Sequence, residues 1–255
     1  MSLLACEGLT VEIGGQRIAE GLDLAVGAGT SWAVLGANGA GKTTLLHTLA
    51  GLRPPTAGRV LLDGRPLRGL RRREIARRLG VLLQDSEDPF PATVLETALI
   101  GRHPHIGPWR WESPDDHARA RAALDEVGLS ELATRAVDTL SGGERRRLAL
   151  ATLLAQDPAV QLLDEPSNHL DLHHQIALLG HLRERVTGAG GALVMALHDV
   201  NLAARFCDHA VLLFTDGSVA HGPATELLQP ERLSRLYHHP IRELEADGHR
   251  FFVPA

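Results

Sequence analysis

Among the 26 lysines and arginines of this 255-residue chain, Lys42 is the only lysine. A composition that avoids lysine and keeps one marks a position where a compact ammonium charge is wanted. Cysteine is scarce too: Cys6 and Cys207 are the only two, far apart in sequence. That excludes a disulfide framework or a cysteine metal cage, and both are read as reduced thiols. No apolar run approaches the roughly 20 residues that span a bilayer. Met1-Ser2-Leu3-Leu4 meets Glu7 too soon for a secretory signal, so the expected location is the cytosol. Excess positive charge is also missing. A net charge of -5 argues against a nucleic-acid partner, and the basic stretch Arg68, Arg71, Arg72, Arg73, Arg77 and Arg78 is read as a solvated helix face. No internal repeat or low-complexity tract is visible. What remains, 44% hydrophobic and 22% charged, is ordinary for a soluble globular protein with one large α/β core, or a core carrying a smaller inserted lobe.

The lone lysine sits in Gly36-Ala37-Asn38-Gly39-Ala40-Gly41-Lys42-Thr43, which fits G-x-x-x-x-G-K-[ST]. Chance produces this pattern in about one chain per hundred of this length, before context is required. The context is present. Ser31-Trp32-Ala33-Val34-Leu35 reads as a short buried strand, and residues 44–50 read as a helix stopped by Gly51. Glycines let the backbone curl with its N–H groups inward, and the following helix start favours anions. The motif assigns Lys42 to the β/γ-phosphates of a nucleotide and Thr43 to Mg²⁺, with Gly36, Asn38, Gly39, Gly41 and Thr44 completing the cradle.

In chain order, residues 3–6, 9–13 and 17–26 are β-prone and broken by Gly8, Gly14-Gly15, Gly21 and Gly27, suggesting small antiparallel strands. A strand pair follows at 59–62 and near 66–67, turned by Asp63-Gly64. A helix at 71–78 leads into the apolar strand 79–83, ending at Gln84. Helical patterns at 93–99 and about 115–127, with no strand signal from 94 to 140, predict an inserted helical lobe. Strand-like runs at 160–163, 192–197 and 210–214 then alternate with helices at 144–155, 172–185 and 200–205, the sign of a parallel sheet. Residues 240–255 read as an appended hairpin around Asp247-Gly248. The expected fold class is therefore α/β. It is a P-loop NTPase core with a mostly parallel sheet, an N-terminal antiparallel β-subdomain and an inserted helical lobe. The whole chain forms one domain, with 1–92 and 141–239 as core, 93–140 as lobe and 240–255 as hairpin.

The strand at 160–163 ends in Asp164-Glu165. Alternation points the two carboxylates in different directions, so that Asp164 would hold Mg²⁺ and Glu165 would act as general base for an attacking water. Ser141-Gly142-Gly143 opens another helix and forms a second anion site from a hydroxyl and free amides. One nucleotide reaches both helix starts only if the fold brings them together, or if the second serves another subunit's nucleotide.

The phosphate loop, Gln84, Leu140-Ser141-Gly142-Gly143-Glu144, Asp164-Glu165, Ser167-Asn168-His169-Leu170-Asp171 and His198 together resemble ABC-type ATPases, in order and spacing, over essentially the whole chain. The resemblance implies a RecA-like core, ATP and Mg²⁺ as ligands, and a head-to-tail homodimer. In it Ser141, Gly142 and Gly143 of one subunit close on the γ-phosphate held by the other. It also implies that Gln84 senses Mg²⁺ and the attacking water, that Asp171 lies in a loop crossing the dimer interface, and that His198 contacts the γ-phosphate and orients Glu165. Residues 93–105, 198–205 and the C-terminal hairpin resemble importers of ferric siderophores, haem and cobalamin. Trp109-Arg110-Trp111-Glu112-Ser113 and Asp171-Leu172-His173-His174-Gln175 most resemble cobalamin-uptake ATPases. Transmembrane permease subunits and, indirectly, a periplasmic or extracellular substrate-binding protein are the implied partners, at the cytoplasmic face of the membrane. The permease is expected in the groove between core and lobe.

Two positions depart from the family pattern. Ile13 stands where an aromatic residue usually stacks on adenine, with Arg17 as a substitute, which predicts looser base specificity. Gln161 interrupts an apolar strand, consistent with a hydrogen bond at the sheet margin. His169 with His173 and His174, or His238-His239, lack a third metal ligand and read as surface histidines. Trp109 and Trp111 are either a docking patch or lobe core. A soluble ABC-type ATPase acting on another macromolecule is the alternative function, although no long coiled-coil insertion or second ATPase domain is present. A P-loop switch GTPase or kinase, the other rival, would share only the phosphate loop, and the single lysine rules out an Asn-Lys-x-Asp base-reading run.

Overall fold

The computed structural model describes residues 2–83, 91–168, 171–246 and 248–255. The chain opens with β1 (Ser2–Ile13) and β2 (Gln16–Gly27), a long antiparallel pair. Each runs straight through a glycine expected to end it. The register of the pair shifts between Cys6 and Leu9, where Gly8 lies, so the glycine interrupts the ladder without ending the strand. β3 (Thr30–Gly36) then enters a second sheet and leads through the phosphate loop into α1 (Lys42–Leu49). β4 (Ala57–Leu62) and β5 (Arg65–Pro66), turned at Asp63-Gly64, return to the first sheet, which has the order β2-β1-β4-β5.

α2 (Arg72–Arg78) feeds β6 (Leu79–Leu82), and three helices follow: α3 (Val94–Ile100), α4 (Pro114–Glu126) and α5 (Gly142–Gln156). Each starts with the same device. The hydroxyls of Thr93, Ser113 and Ser141 accept from the amide three residues on, and Glu96, Asp116 and Glu144 reach back to the capping residue's amide. Arg102 ties this group to α5 by donating to Asp116 (3.0 Å) and to the Ala155 carbonyl (2.7 Å). The Ser113 hydroxyl first, and Arg102 as well, hold the Asp116 carboxyl down at about 2. The segment closes on itself at its base, where Thr93 bridges Ala136.

β7 (Val160–Asp164), α6 (Leu172–Ala189), β8 (Ala192–Ala196), α7 (Val200–Phe206) and β9 (His209–Leu213) complete the parallel part of the larger sheet. Its order is β10-β9-β3-β8-β7-β6, with β10 (Val219–Pro223) as an antiparallel edge. Both faces are covered, which is why its strands are apolar at nearly every position. Ala33, Leu35, Leu163, Met195 and Leu212 pack toward one core; Val34, Leu162, Val194 and Val211 face the other, which joins the sheet to α1 and the antiparallel strands. Gln161 corrects an expectation: it lies in an interior strand between Gly80 and Leu193, and its Oε1 finds no donor. We have no physical account of it.

α8 (Ala224–Leu227) and α9 (Pro230–Tyr237), with β10, fall in a stretch where no elements were expected. β11 (Ile241–Ala246) and β12 (His249–Pro254) form the appended hairpin, clamped to α7 by Asn201, whose amide bonds the Phe252 backbone in both directions. Of the basic stretch only Arg73 is part-buried; Arg68, Arg71, Arg72, Arg77 and Arg78 are exposed, as a solvated face requires, though several also bond to neighbouring backbone. Arg73 and Arg77 both donate to the Pro104 carbonyl (2.9 and 2.7 Å), Arg72 donates to that of Gly51, and Arg78 pairs with Asp63. Trp109 and Trp111 are wholly exposed, which removes the lobe-core reading.

The closest backbone approach that fixes α5 is at Gly101, where an added Cβ would fall inside contact distance of the Thr152 carbonyl oxygen. Gly101→Ala is therefore expected to cost about 1–3 kcal/mol by overpacking. A urea titration should show a lower midpoint with an unchanged slope, and an unchanged midpoint would contradict this packing.

Candidate active site

The C-terminal ends of β3 and β7 lie on either side of β8, so the phosphate loop and the carboxylates that follow β7 share one edge of the sheet. At this edge a cavity of about 440 Å³ is lined by Asn38, Gly39, Gly41, Lys42, Thr43, Thr44, Glu165 and His198. Gly36, at the end of β3, lies beneath it and supplies a carbonyl to the lysine. Gly41 is required there for two reasons. Its φ of 95° lies in the left-handed region, and a Cβ would drive into the Ile18 side chain. Lys42 is buried, with Nζ donating to the carbonyls of Gly36 (3.0 Å) and Ala37 (3.4 Å). Burial lowers its pKa, while Glu165 and Asp164 act in the opposite sense.

Asp164 is the last residue of β7 and is almost fully buried. Neither carboxyl oxygen has a donor in hydrogen-bonding geometry. Burial pushes this carboxyl up, and the neighbouring Thr43 hydroxyl partly offsets that rise, although it stands outside a formed hydrogen bond. An unpaired buried carboxylate beside a hydroxyl suits a hard divalent cation, so Thr43 and Asp164 fit the expected Mg²⁺. Among the described residues no group of three histidine, cysteine or acidic side chains could hold a metal ion, and His169 lies outside those residues.

Glu165 leaves the strand with φ 50°, a conformation a non-glycine residue rarely adopts. Its amide donates to the Ala196 carbonyl, and its two carboxyl oxygens are held separately, one by the Asn168 amide and the other by His198 Nε2. Its backbone is anchored from α5, where Arg146 donates to the carbonyls of Asp164, Glu165 (2.7 Å) and Leu83 (2.5 Å). Asn168 and Arg146 were not expected to take part. A signal existed for Asn168, three residues beyond Glu165, but none distinguished Arg146 in the run 145–147.

Other expected site residues stand apart. Ser141, Gly142 and Gly143 begin α5, outside the cavity, with the Ser141 hydroxyl accepting from the Glu144 amide (3.3 Å). Asp171 caps α6 and accepts from the His174 amide and ring, again outside it. Gln84 lies outside the described residues. Ile13 is half-exposed at the β1–β2 turn, and Arg17 beside it is held by Glu12 and Glu20.

A glycine-rich loop and lysine on one strand of a parallel sheet, an acid-ended strand two places away, and a separate antiparallel sheet define a P-loop ATPase cassette. A solved structure described as a metal-chelate type ABC transporter in an inward-facing conformation superposes with a TM-score of 0.86 at 28% identity, covering 100% of this chain and 98% of that one. A dimeric ATP-binding cassette in a post-hydrolysis state with ADP and Pi superposes at 0.76 and 25% identity, over 87% of this chain and 98% of that one. Residues 19–168 match the sequence family described as ABC transporter. The chain belongs to that family. It is 40% identical over 232 residues to the ferric enterobactin transport ATP-binding protein of Escherichia coli, covering 91% of this chain and 85% of that protein. It is 42% identical over 247 residues to the hemin import ATP-binding protein of Nocardia farcinica, covering 95% and 85%. A cobalamin import ATP-binding protein of Halobacterium salinarum matches at 40% over 227 residues, 89% of this chain and 56% of that protein. These relatives bear out the likeness to ferric-siderophore, haem and cobalamin importers.

The unpaired Asp164 carboxyl sets a pH dependence. Because burial raises it above its unfolded value, the folded chain takes up the proton first, and stability falls as pH rises through that interval. Above the raised value the whole penalty is present. Asp164→Asn is expected to stabilise the metal-free chain by about 1–3 kcal/mol at neutral pH, with the gain vanishing below the ordinary carboxylate range. Urea unfolding across pH in metal-free buffer reads this directly, and a destabilised variant at neutral pH would contradict the burial argument.

Proposed function

We propose that the chain is the ATP-hydrolysing subunit of a membrane importer. The observation that carries the proposal is Glu165, gripped by Asn168 and His198 on the wall of the same cavity as Lys42 and the phosphate loop. In this reading the loop amides of Asn38, Gly39 and Gly41 and the Lys42 ammonium bind the β- and γ-phosphates of ATP, with Thr44 beside them. Thr43 and Asp164, with Gln84, would hold Mg²⁺, which when bound would supply positive charge against the phosphates. Glu165 takes the proton of the attacking water. His198 fixes that carboxylate and reaches the γ-phosphate with its imidazole.

Ser141, Gly142 and Gly143 serve the nucleotide of a second copy, and Asp171 lies where the two chains meet. Support for a homodimer comes from the distance of these residues from their own chain's cavity and from the dimeric cassette that this fold matches. ATP then bridges two chains, and hydrolysis removes the γ-phosphate that holds them closed. No helix among the described residues is long and apolar enough to cross a membrane. The subunit is recruited to the cytoplasmic face by transmembrane permeases that receive cargo from a substrate-binding protein. Relatives named for ferric enterobactin transport, hemin import and cobalamin import support a cargo that is a ferric siderophore, haem or cobalamin.

The test is ATP turnover of the wild type beside Glu165→Gln, with mass followed by light scattering in Mg-ATP. Turnover should fall by roughly 10²–10⁴-fold while the variant accumulates as an ATP-dependent dimer. Full turnover in Glu165→Gln, or an active species that stays monomeric at every concentration, would sink the mechanism.

A further inference from the structure

A second cavity, of about 580 Å³, opens at the opposite end of α1 and shares no lining residue with the first. Its wall is the loop from α1 to β4 together with the start of α2, and it carries Arg53, Arg59, Arg68 and Arg72 without a single acidic residue. In a chain of net charge -5, that is a local reversal of sign. Among the described residues only Arg59 of these four has a carboxylate partner, Glu7 at 2.7 Å. Arg53 and Arg72 donate to the neutral carbonyls of Glu12 (3.1 Å) and Gly51 (2.7 Å), contacts that orient them but leave their charge uncompensated. Arg68 makes no hydrogen bond or ion pair among the described residues and stands exposed at the rim.

The carbonyl end of α1 also points toward this cavity and would oppose an anion, but three of the carbonyls in its last turn are already taken. The Leu46 carbonyl accepts from Ala50, that of His47 from Leu52 and Arg53, and that of Thr48 from Gly51. Between the arginines the wall is apolar, formed by Leu52, Pro54, Leu67, Leu70 and Ile75. Three uncompensated guanidinium groups match a phosphate, which offers several oxygens to fork-shaped donors, better than a single carboxylate. The apolar wall asks for carbon next to that phosphate.

We propose that this cavity binds a phosphate monoester or diester on a short apolar stem, with Arg53, Arg68 and Arg72 on the phosphate and Leu67, Leu70 and Ile75 along the stem. A soluble phosphate ester and an anionic phospholipid headgroup share this chemistry. The site is independent of ATP hydrolysis, so either proposal can fail without the other.

The experiment uses the full chain saturated with Mg-ADP, which fills the phosphate loop and leaves only the second cavity open. Butyl phosphate, a phosphate monoester on an apolar stem, is titrated by calorimetry, and vesicles of phosphatidylcholine with or without phosphatidylglycerol are tested by co-sedimentation. Binding in the first arm identifies a soluble ester; binding only to vesicles that contain phosphatidylglycerol identifies a lipid. In either case the doubly substituted Arg53→Ala, Arg68→Ala chain should bind at least about tenfold more weakly, since each lost charge-assisted hydrogen bond is worth roughly that factor. Arg65→Ala, at an arginine outside the cavity paired with Glu74, should bind like the wild type, and ATP turnover should be unchanged in all variants. Because Arg68 makes no contact of its own, Arg68→Ala alone carries the test if the double variant does not fold. No binding in either arm, or binding indifferent to Arg68, overturns the proposal. It is equally overturned if the only effect of the substitutions is lost co-purification with a membrane protein, which would make the cavity a protein contact.

Discussion

A buried ammonium group sets the terms for the rest of this structure. Lys42 has little access to water, and taking such a charge out of water costs several kcal/mol unless partners replace the lost hydration. The fold supplies them in two ways. The curl of the phosphate loop turns the Gly36 and Ala37 carbonyls back onto Nζ, and the end of β7 contributes two carboxylates within its field. Each requires the other elements in place. The loop holds its curl because Gly41 accepts a left-handed conformation against Ile18 of β2, which ties the antiparallel sheet to the parallel one at that point. The carboxylates are in range because β7 stands one strand away from β3's neighbour β8.

The same edge is under tension from its acids. Asp164 and Glu165 are adjacent and largely buried; burial first, and the Glu165 charge as well, raise the cost of ionising Asp164, and burial outweighs what favours its charge. Arg146 moderates this from α5. Its guanidinium takes the backbone carbonyls of both acidic residues and that of Leu83, so a single side chain locks the end of β7, the end of β6 and the first turns of α5 together. A movement of α5 therefore has to displace the backbone that aims Glu165. In the proposed mechanism this couples the helix that faces a partner's nucleotide to the base that acts on its own.

Much of this was legible in the sequence because the strongest constraints there are local. A phosphate loop needs its glycines at fixed spacing, a sheet covered on both faces needs unbroken apolar strands, and a helix start needs a hydroxyl or carboxylate, so residues 31–50, 160–164 and 192–196 announced themselves. What was missed depends on distance. Gly8 and Gly21 read as strand breaks, since sequence alone does not tell a glycine that interrupts the ladder from one that ends it; pairing across the long β1–β2 ladder decides that. The elements between 219 and 237 are short, and β10 is an edge strand with a Gly-Pro end, which gives little periodicity to read. The roles of Asn168 and Arg146 depend on which backbone groups lie opposite them. Arg73 and Arg77 lie on the α2 face read as solvated, and their bonds to the Pro104 carbonyl, about thirty residues away in the chain, could not be read from local pattern.

The helix starts at Ser141 and Asp171 bear on the proposed reading, in which one chain does not finish the site. The Ser141 hydroxyl and the Asp171 carboxylate are each engaged in capping their own helices, so in the single chain neither is left as a costly unpaired group. Within the cavity site the unsatisfied polar group is instead the Asp164 carboxyl, where a cation fits. In the single chain both helix starts are already capped. The chain gains by meeting a charged ligand that satisfies Asp164 through a cation and Lys42 through phosphate, while presenting new negative charge outward. Free amides at the start of α5 in a second copy are the natural complement to that charge. In the proposed cycle the nucleotide, not an apolar patch, then supplies the attraction between subunits, and the attraction ends when its terminal phosphate leaves.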